Sequence, residues 1–255
     1  ACAFDGCTSL STIVFPEGLV SIGEYAFAGT SISTLPDIEN VANIGRYAFQ
    51  KCTALKTVLL SDTLKTIGDR AFQDCYALAN IGLANTALTK IGEYAFSNCD
   101  SLVEVNIPST VQTVGYEAFA GCSSLKRIEL ENCTALAKIG ARAFADCTSL
   151  EEIALPDSVK MIEERAFIGC SALNKFSLES EYVGLGVGVF MDCSSLSNVN
   201  FLNKVETIPG SAFAGCKGLT RIRIPDNVRY IEDYAFEESG LLEVALPQSL
   251  LSLGN

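Results

Sequence analysis

The sequence predicts an α/β solenoid: a right-handed stack of about eleven coils of ~23 residues, with a parallel β-sheet on the concave face and short helical turns on the convex side. Three observations carry this. An Ala-Phe pair, once Val-Phe, places phenylalanine at 4, 27, 49, 72, 96, 119, 144, 167, 190, 213 and 236, at intervals of 22 to 25 residues. A unit of that length cannot bury its own apolar face and must stack on its neighbours. Nine and eleven residues after most of these phenylalanines stands an apolar pair with strand period two, as in Val105/Ile107, Ile128/Leu130 and Ile153/Leu155. A proline follows at Pro16, Pro108, Pro156 and Pro225, and ends the strand because it has no ladder donor.

The coil that starts at Phe96 shows every element in turn. Cys99, Leu102, Val105, Ile107, Val111, Val114 and Ala118 are its inward positions. Val105 and Ile107 belong to the strand, and Pro108 closes it. Gly115 falls nineteen residues after Phe, where Gly23 and Gly68 also stand, with Gly45 at eighteen in a coil one residue shorter, and a turn with positive φ is expected there. Around Phe96 the period changes, with Ala95 and Cys99 four apart, which predicts one short helical turn facing inward.

The unit A-F-x-x-C-x-x-L-x-x-[IV]-x-[IL]-P-x-x-[VL]-x-x-I-G resembles the BspA-like leucine-rich repeats of bacterial and protist surface proteins, over essentially the whole chain. The resemblance implies a leucine-rich repeat solenoid that works as a non-enzymatic binding scaffold, at the cell surface or secreted, in adhesion to or interaction with a protein or glycan. The alternative is a structural spacer subunit of a larger assembly, intracellular or organellar. Departures from the unit fall at rims. Two coils gain residues near Asn85-Thr86-Ala87 and Glu131-Asn132-Cys133-Thr134, and Thr30 and Ser239 replace the cysteine. Gly184-Leu185-Gly186-Val187-Gly188 lacks the strand-to-helix context of a dinucleotide site and is read as a strained or flexible coil.

Composition narrows the function. A net charge of −12 opposes nucleic-acid backbone binding. No apolar run approaches the ~18 residues of a membrane-spanning helix. The chain has no histidine, so Ser-His-Asp and Cys-His catalysis are out of reach. Glu151/Glu152, Glu163/Glu164 and Glu237/Glu238 are adjacent carboxylates that point apart, not a facing catalytic pair. No enzyme activity and no cofactor are expected. The chain opens and stops inside repeats, so the expectation is one solenoid domain over 1–255, a fragment lacking both caps.

Nine of the eleven cysteines (Cys7, Cys52, Cys75, Cys99, Cys122, Cys147, Cys170, Cys193, Cys216) stand three residues after Phe, an interior position. They read as a ladder of packed thiols; in-register Cβ vectors disfavour disulfides, and zinc needs convergent ligands. Cys2 and Cys133 lie off the ladder, and Cys133, in an inserted loop, is the candidate reactive or pairing thiol. Asn132-Cys133-Thr134 matches a glycosylation sequon, a triplet common by chance.

If positions +9 and +11 point inward, +8 and +10 line the concave face. Its candidate binding residues are Arg127, Glu129, Glu152, Lys175, Asn198, Asn200, Arg221 and Arg223, whose four cations would suit an anionic partner. A second, convex stripe stands two residues before Phe, with Tyr25, Tyr47, Tyr94 and Tyr234, Tyr116 one place earlier, and Arg70, Arg142 and Arg165 between them. Tyr and Arg populate binding hot spots, yet packing over the core accounts for them more simply.

Overall fold

The computed structural model describes residues 2–36, 38–178, 182–199 and 205–255. From Phe4 to Phe236 the chain makes ten turns. Each phenylalanine ring stacks on the next at centroid distances of 5.2–5.7 Å with planes within 14°. The column runs unbroken through every coil, its inner members from Phe49 to Phe213 fully buried. Offset stacking at this spacing adds to the area the rings bury.

The segment around each Phe is not helical: there is no α-helix among the described residues. Its amides explain why. Every second N–H leaves its own coil: Tyr25 donates to Arg46 O at 3.0 Å, Phe27 to Ala48 O at 2.8 Å and Gly29 to Gln50 O at 2.7 Å. The amides between them close three-residue turns within the coil, as Cys52 N–H does to Phe49 O at 3.1 Å. Backbone groups that a helix would pair along the chain are paired across coils instead.

That geometry forces a left-handed residue two before and two after each Phe. Every positive φ among the described residues falls at one of these positions. Tyr25, Tyr47, Arg70, Tyr94, Arg142, Arg165 and Tyr234 fill the first; Asp74, Asn98, Gly121, Asp146, Gly169 and Asp192 are among those in the second. A side chain in this region costs about 1 kcal/mol or more, which the inter-coil hydrogen bonds offset.

The recurring glycine eighteen or nineteen residues after Phe is not among the positive-φ residues, contrary to expectation. It is needed for closeness. A Cβ on Gly45 would stand 2.8 Å from Glu24 N, one on Gly68 2.5 Å from Arg46 N, and one on Gly115 2.8 Å from Ile91 O. Gly186 holds the same place, with a Cβ 2.3 Å from Glu164 N, and Gly188 is the left-handed residue before Phe190. The Gly184–Gly188 stretch is therefore an ordinary coil in register, not an irregular one.

Twenty short strands, numbered along the chain, form two parallel rows among the described residues. One row, not expected from the sequence, has its second residue seventeen to twenty after Phe, buried in most coils: β1 (Ser21–Ile22), β2 (Asn43–Ile44), β4 (Thr66–Ile67), β6 (Lys90–Ile91), β8 (Thr113–Val114), β10 (Lys138–Ile139), β12 (Met161–Ile162), β14 (Gly184–Leu185), β16 (Thr207–Ile208), β18 (Tyr230–Ile231) and β20 (Ser252–Leu253). The other is the expected row: β3 (Thr57–Leu59), β5 (Asn80–Gly82), β7 (Glu104–Asn106), β9 (Arg127–Glu129), β11 (Glu152–Leu155), β13 (Lys175–Leu178), β15 (Asn198–Val199), β17 (Arg221–Arg223) and β19 (Glu243–Ala245). The fold is thus a β-solenoid of strands and turns, without the helical component.

Both rows are interrupted among the described residues: the first divides into β1–β2–β4, β6–β8–β10–β12–β14 and β16–β18–β20, and the expected row divides further. β3 pairs β5, β7 pairs β9, β11–β13–β15 form one sheet and β17 pairs β19. The gaps between β5 and β7 and between β9 and β11 fall beside the inserted residues near Asn85 and Glu131, and a third gap separates β15 from β17.

The cysteine ladder has a specific use. Eight thiols, from Cys52 to Cys216, donate to the carbonyl of the Phe one coil earlier at 3.0–3.3 Å. Thr30 stands in the same column and its Oγ1 donates to Phe27 O at 2.9 Å, so the position selects a small buried donor rather than thiol chemistry. Cys7 departs from expectation: in the first coil it is exposed, as is Cys2. Cys133 departs the other way. It is buried at 1% exposure, its Sγ donates to Ile107 O at 3.4 Å, and burial pushes its thiol up to about 11. An inward, protonated thiol is neither reactive nor free to pair. All the described cysteines are free.

Candidate functional site

Along the expected row, strand alternation sends the middle residue inward and its neighbours out. Val58, Ile81, Val105, Ile128, Ile153 and Phe176 are buried, while Asn80, Glu104, Arg127, Glu152, Lys175, Asn198, Arg221 and Glu243 are exposed. Register places these outward residues in one column: Glu104 faces Arg127, Glu152 faces Lys175, Lys175 faces Asn198, and Arg221 faces Glu243. Neighbours in a parallel ladder lie about 4.8 Å apart, so charges of opposite sign meet.

Three of the four candidate cations are paired, Lys175 and Arg221 across the ladder and Arg127 within its own strand. Arg127 reaches Glu129 at 2.9 Å, Lys175 reaches Glu152 at 3.7 Å and Arg221 reaches Glu243 at 3.9 Å. Arg223 makes none of the described ion pairs. The face is a ladder of alternating sign rather than a basic strip, and each exposed pair contributes little to stability. Asn200 lies outside the described residues. At the other end of the row the face is apolar, with Val14 90% and Leu59 75% exposed.

Where β9 and β11 part, the face opens into a depression of about 160 Å³. Arg127, Glu129, Glu131, Glu152, Lys175 and Ser177 surround it, with Ala154 among its lining. Four of the eight predicted face residues thus converge on one hollow. Arg221 and Arg223 border a separate hollow with Glu243 and Ala245. Ala154 and Ser177 stand at outward positions ten after Phe, as the alternation implies, and Glu131 of the inserted segment is the addition. The available signal was the 25-residue interval between Phe119 and Phe144, the longest in the chain.

The convex stripe is a closed stack. Tyr25 and Tyr47 rings lie 4.4 Å apart and within 6° of parallel. The Arg70 guanidinium sits 4.2 Å from the Tyr94 ring centroid and its Nη1 donates to the Tyr47 hydroxyl at 3.0 Å. Tyr94 meets Tyr116 edge-on at 5.1 Å. A hydrogen bond to Glu117, together with burial, pushes the Tyr116 phenol up to about 12. Farther along, Arg142 pairs with Glu117 at 3.0 Å in place of a ring. Tyr234 stands apart, 54% exposed. From Tyr25 to Tyr116 neighbouring side chains of the stripe lie against one another, ring on ring or guanidinium on ring.

Six copies of the BspA type leucine rich repeat region match the chain, at residues 1–88, 65–193 and 137–255. The chain belongs to that family. Its fold is similar to that of a leucine-rich repeat protein from Bacteroides ovatus, with 27% identity and a TM-score of 0.63 over 92% of this chain and 78% of that one. It is similar also to the T. pallidum leucine rich repeat protein, with 34% identity and a TM-score of 0.62 over 69% of this chain and 82% of that one. A comparison with curated protein sequences finds no match. No helix of the described residues is long and apolar enough to cross a membrane, and no group of three or more His, Cys, Asp or Glu among them could hold a metal ion.

Proposed function

We infer that this leucine-rich repeat solenoid is a non-enzymatic binding scaffold, displayed at a cell surface or secreted, that recognises a protein or glycan through the outward face of its β3–β19 row. One observation carries the reading: the alternating charged column and the hollow between β9 and β11 share that face. Surface display rests on membership of a repeat family found in bacterial and protist surface proteins. A partner with alternating charges matches the ladder better than a simple polyanion, because three of the four cations already face carboxylates.

The same ion pairs favour a second reading. A face whose charges are mutually satisfied also suits a spacer subunit that contacts its assembly through flank or ends. Capture from surface extract and lysate separates the two. The native chain is compared with an Arg127→Glu/Lys175→Glu/Arg221→Glu/Arg223→Glu variant. A partner lost by the variant supports recognition on the strand face; one retained equally by both transfers it to the flank or ends.

A further inference from the structure

We propose that the hollow between β9 and β11 is a subsite for one sugar unit of a neutral glycan. This rests on the reading that the strand face is the recognition surface and narrows its ligand class. The hollow lies over β9, β11 and β13, where β9 and β11 belong to separate sheets while β11 and β13 are laddered, and Glu131 of the inserted segment lines it. At about 160 Å³ it is smaller than the several hundred Å³ of a drug-sized pocket. It has room for a single ring.

Its lining decides the chemistry. Three carboxylates (Glu129, Glu131, Glu152) outnumber two cations, and both cations already lie against carboxylates at 2.9 and 3.7 Å. An anion would meet net negative charge, and a cation would meet Arg127 and Lys175. No aromatic ring lines the hollow to stack a planar ligand. Each ion pair instead presents a carboxylate acceptor beside a charged donor, and Ser177 offers both functions. Adjacent hydroxyls of a sugar donate to the first and accept from the second without breaking net charge balance, and charge-assisted bonds are the stronger kind. Ala154 leaves the floor open to the ring.

The test uses an array of neutral, sialylated and sulfated oligosaccharides, followed by saturation-transfer NMR with the retained glycans. The native chain, Ala154→Trp, which fills the hollow, and Glu152→Gln, which keeps its shape but removes an acceptor charge, are compared after their melting temperatures are checked. The expected result is retention of neutral glycans by the native chain and at least tenfold weaker retention by both variants. Should Ala154→Trp not fold, Glu152→Gln decides alone. Retention confined to sialylated or sulfated glycans, none at all, or binding unchanged in the variants overturns the sugar subsite. If the array is blank while the four-charge variant still loses a captured protein, only the sugar proposal falls and recognition by the strand face stands.

Discussion

The turn side and the strand side of this solenoid respond differently to the same insertions. Coil lengths vary from 22 to 25 residues, yet on the turn side all ten links between successive phenylalanines keep their stacked rings. Each Phe N–H also keeps its bond to the next coil, from Phe4 to Ala26 O at 2.9 Å through Phe213 to Ala235 O at 2.8 Å. On the strand side the ladder is broken beside both inserted loops and again between β15 and β17. A buried column of rings has no slack, whereas an exposed strand edge can separate and be solvated. Variation, and with it recognition, is therefore expected where the ladder yields.

The largest test of the turn side is alkaline pH. Burial pushes the Cys122 and Cys216 thiols up to about 12, against ~8.5 for a free thiol. The raised value favours the protonated folded form, so the stability is complete below pH ~8.5 and is lost as pH climbs toward 12, by about 1.4 kcal/mol per thiol per pH unit. Urea melts from pH 8 to 10.5 should show a steep loss, shallower by about two protons in a Cys122→Ser/Cys216→Ser double variant. Equal slopes in the two proteins would sink the claim.

Next comes the phenylalanine column. Phe119→Ala should cost about 3–5 kcal/mol, because its ring is covered on both faces by Phe96 and Phe144. Phe236, stacked on Phe213 and only partly buried, should lose less and fray one end by hydrogen exchange. Equal destabilisation at both positions would contradict nearest-neighbour stacking.

Glycines give a smaller contrast between the two sides. Gly115→Ala drives a methyl to within 2.8 Å of Ile91 O and should destabilise by about 1–3 kcal/mol. Gly82→Ala, on the outward strand face with its nearest atom 3.9 Å away, should change the melting temperature little or raise it. The smallest effect belongs to the face itself. Lys175→Ala should alter stability by less than about 1 kcal/mol while changing whatever binding the face supports; a large stability loss would make its pair with Glu152 structural.

Much of this was legible in the residues. The ring column, the inward strand positions and the outward face follow from periodicity, since burial of a repeated apolar residue leaves few other placements. The second strand row lies in the pattern of apolar residues seventeen to twenty after Phe, but two-residue strands carry too little alternation to declare themselves. The helical turn was misread because a spacing of four between Ala95 and Cys99 fits both a helix and a chain of tight turns. Only the direction of alternate amides separates them. Cys133 was misplaced because an inserted loop normally lies outside, and this one turns its thiol onto the preceding coil. Arg127, Lys175 and Arg221 were placed on the right face but without the carboxylates that face them.

The sequence by itself determined the repeat, its length, and which side chains had to be buried, because a fixed apolar period can be satisfied only by stacking copies in register. The tertiary structure alone decided what each small residue is for. Glycine eighteen or nineteen after Phe answers to the backbone of the coil before it, and cysteine three after Phe answers to that coil's carbonyl. Likewise, tyrosine two before Phe holds a left-handed turn whose amide belongs to the coil that follows. Each of these roles is a contact between residues some 23 positions apart, and contacts at that range exist only once the coils are stacked.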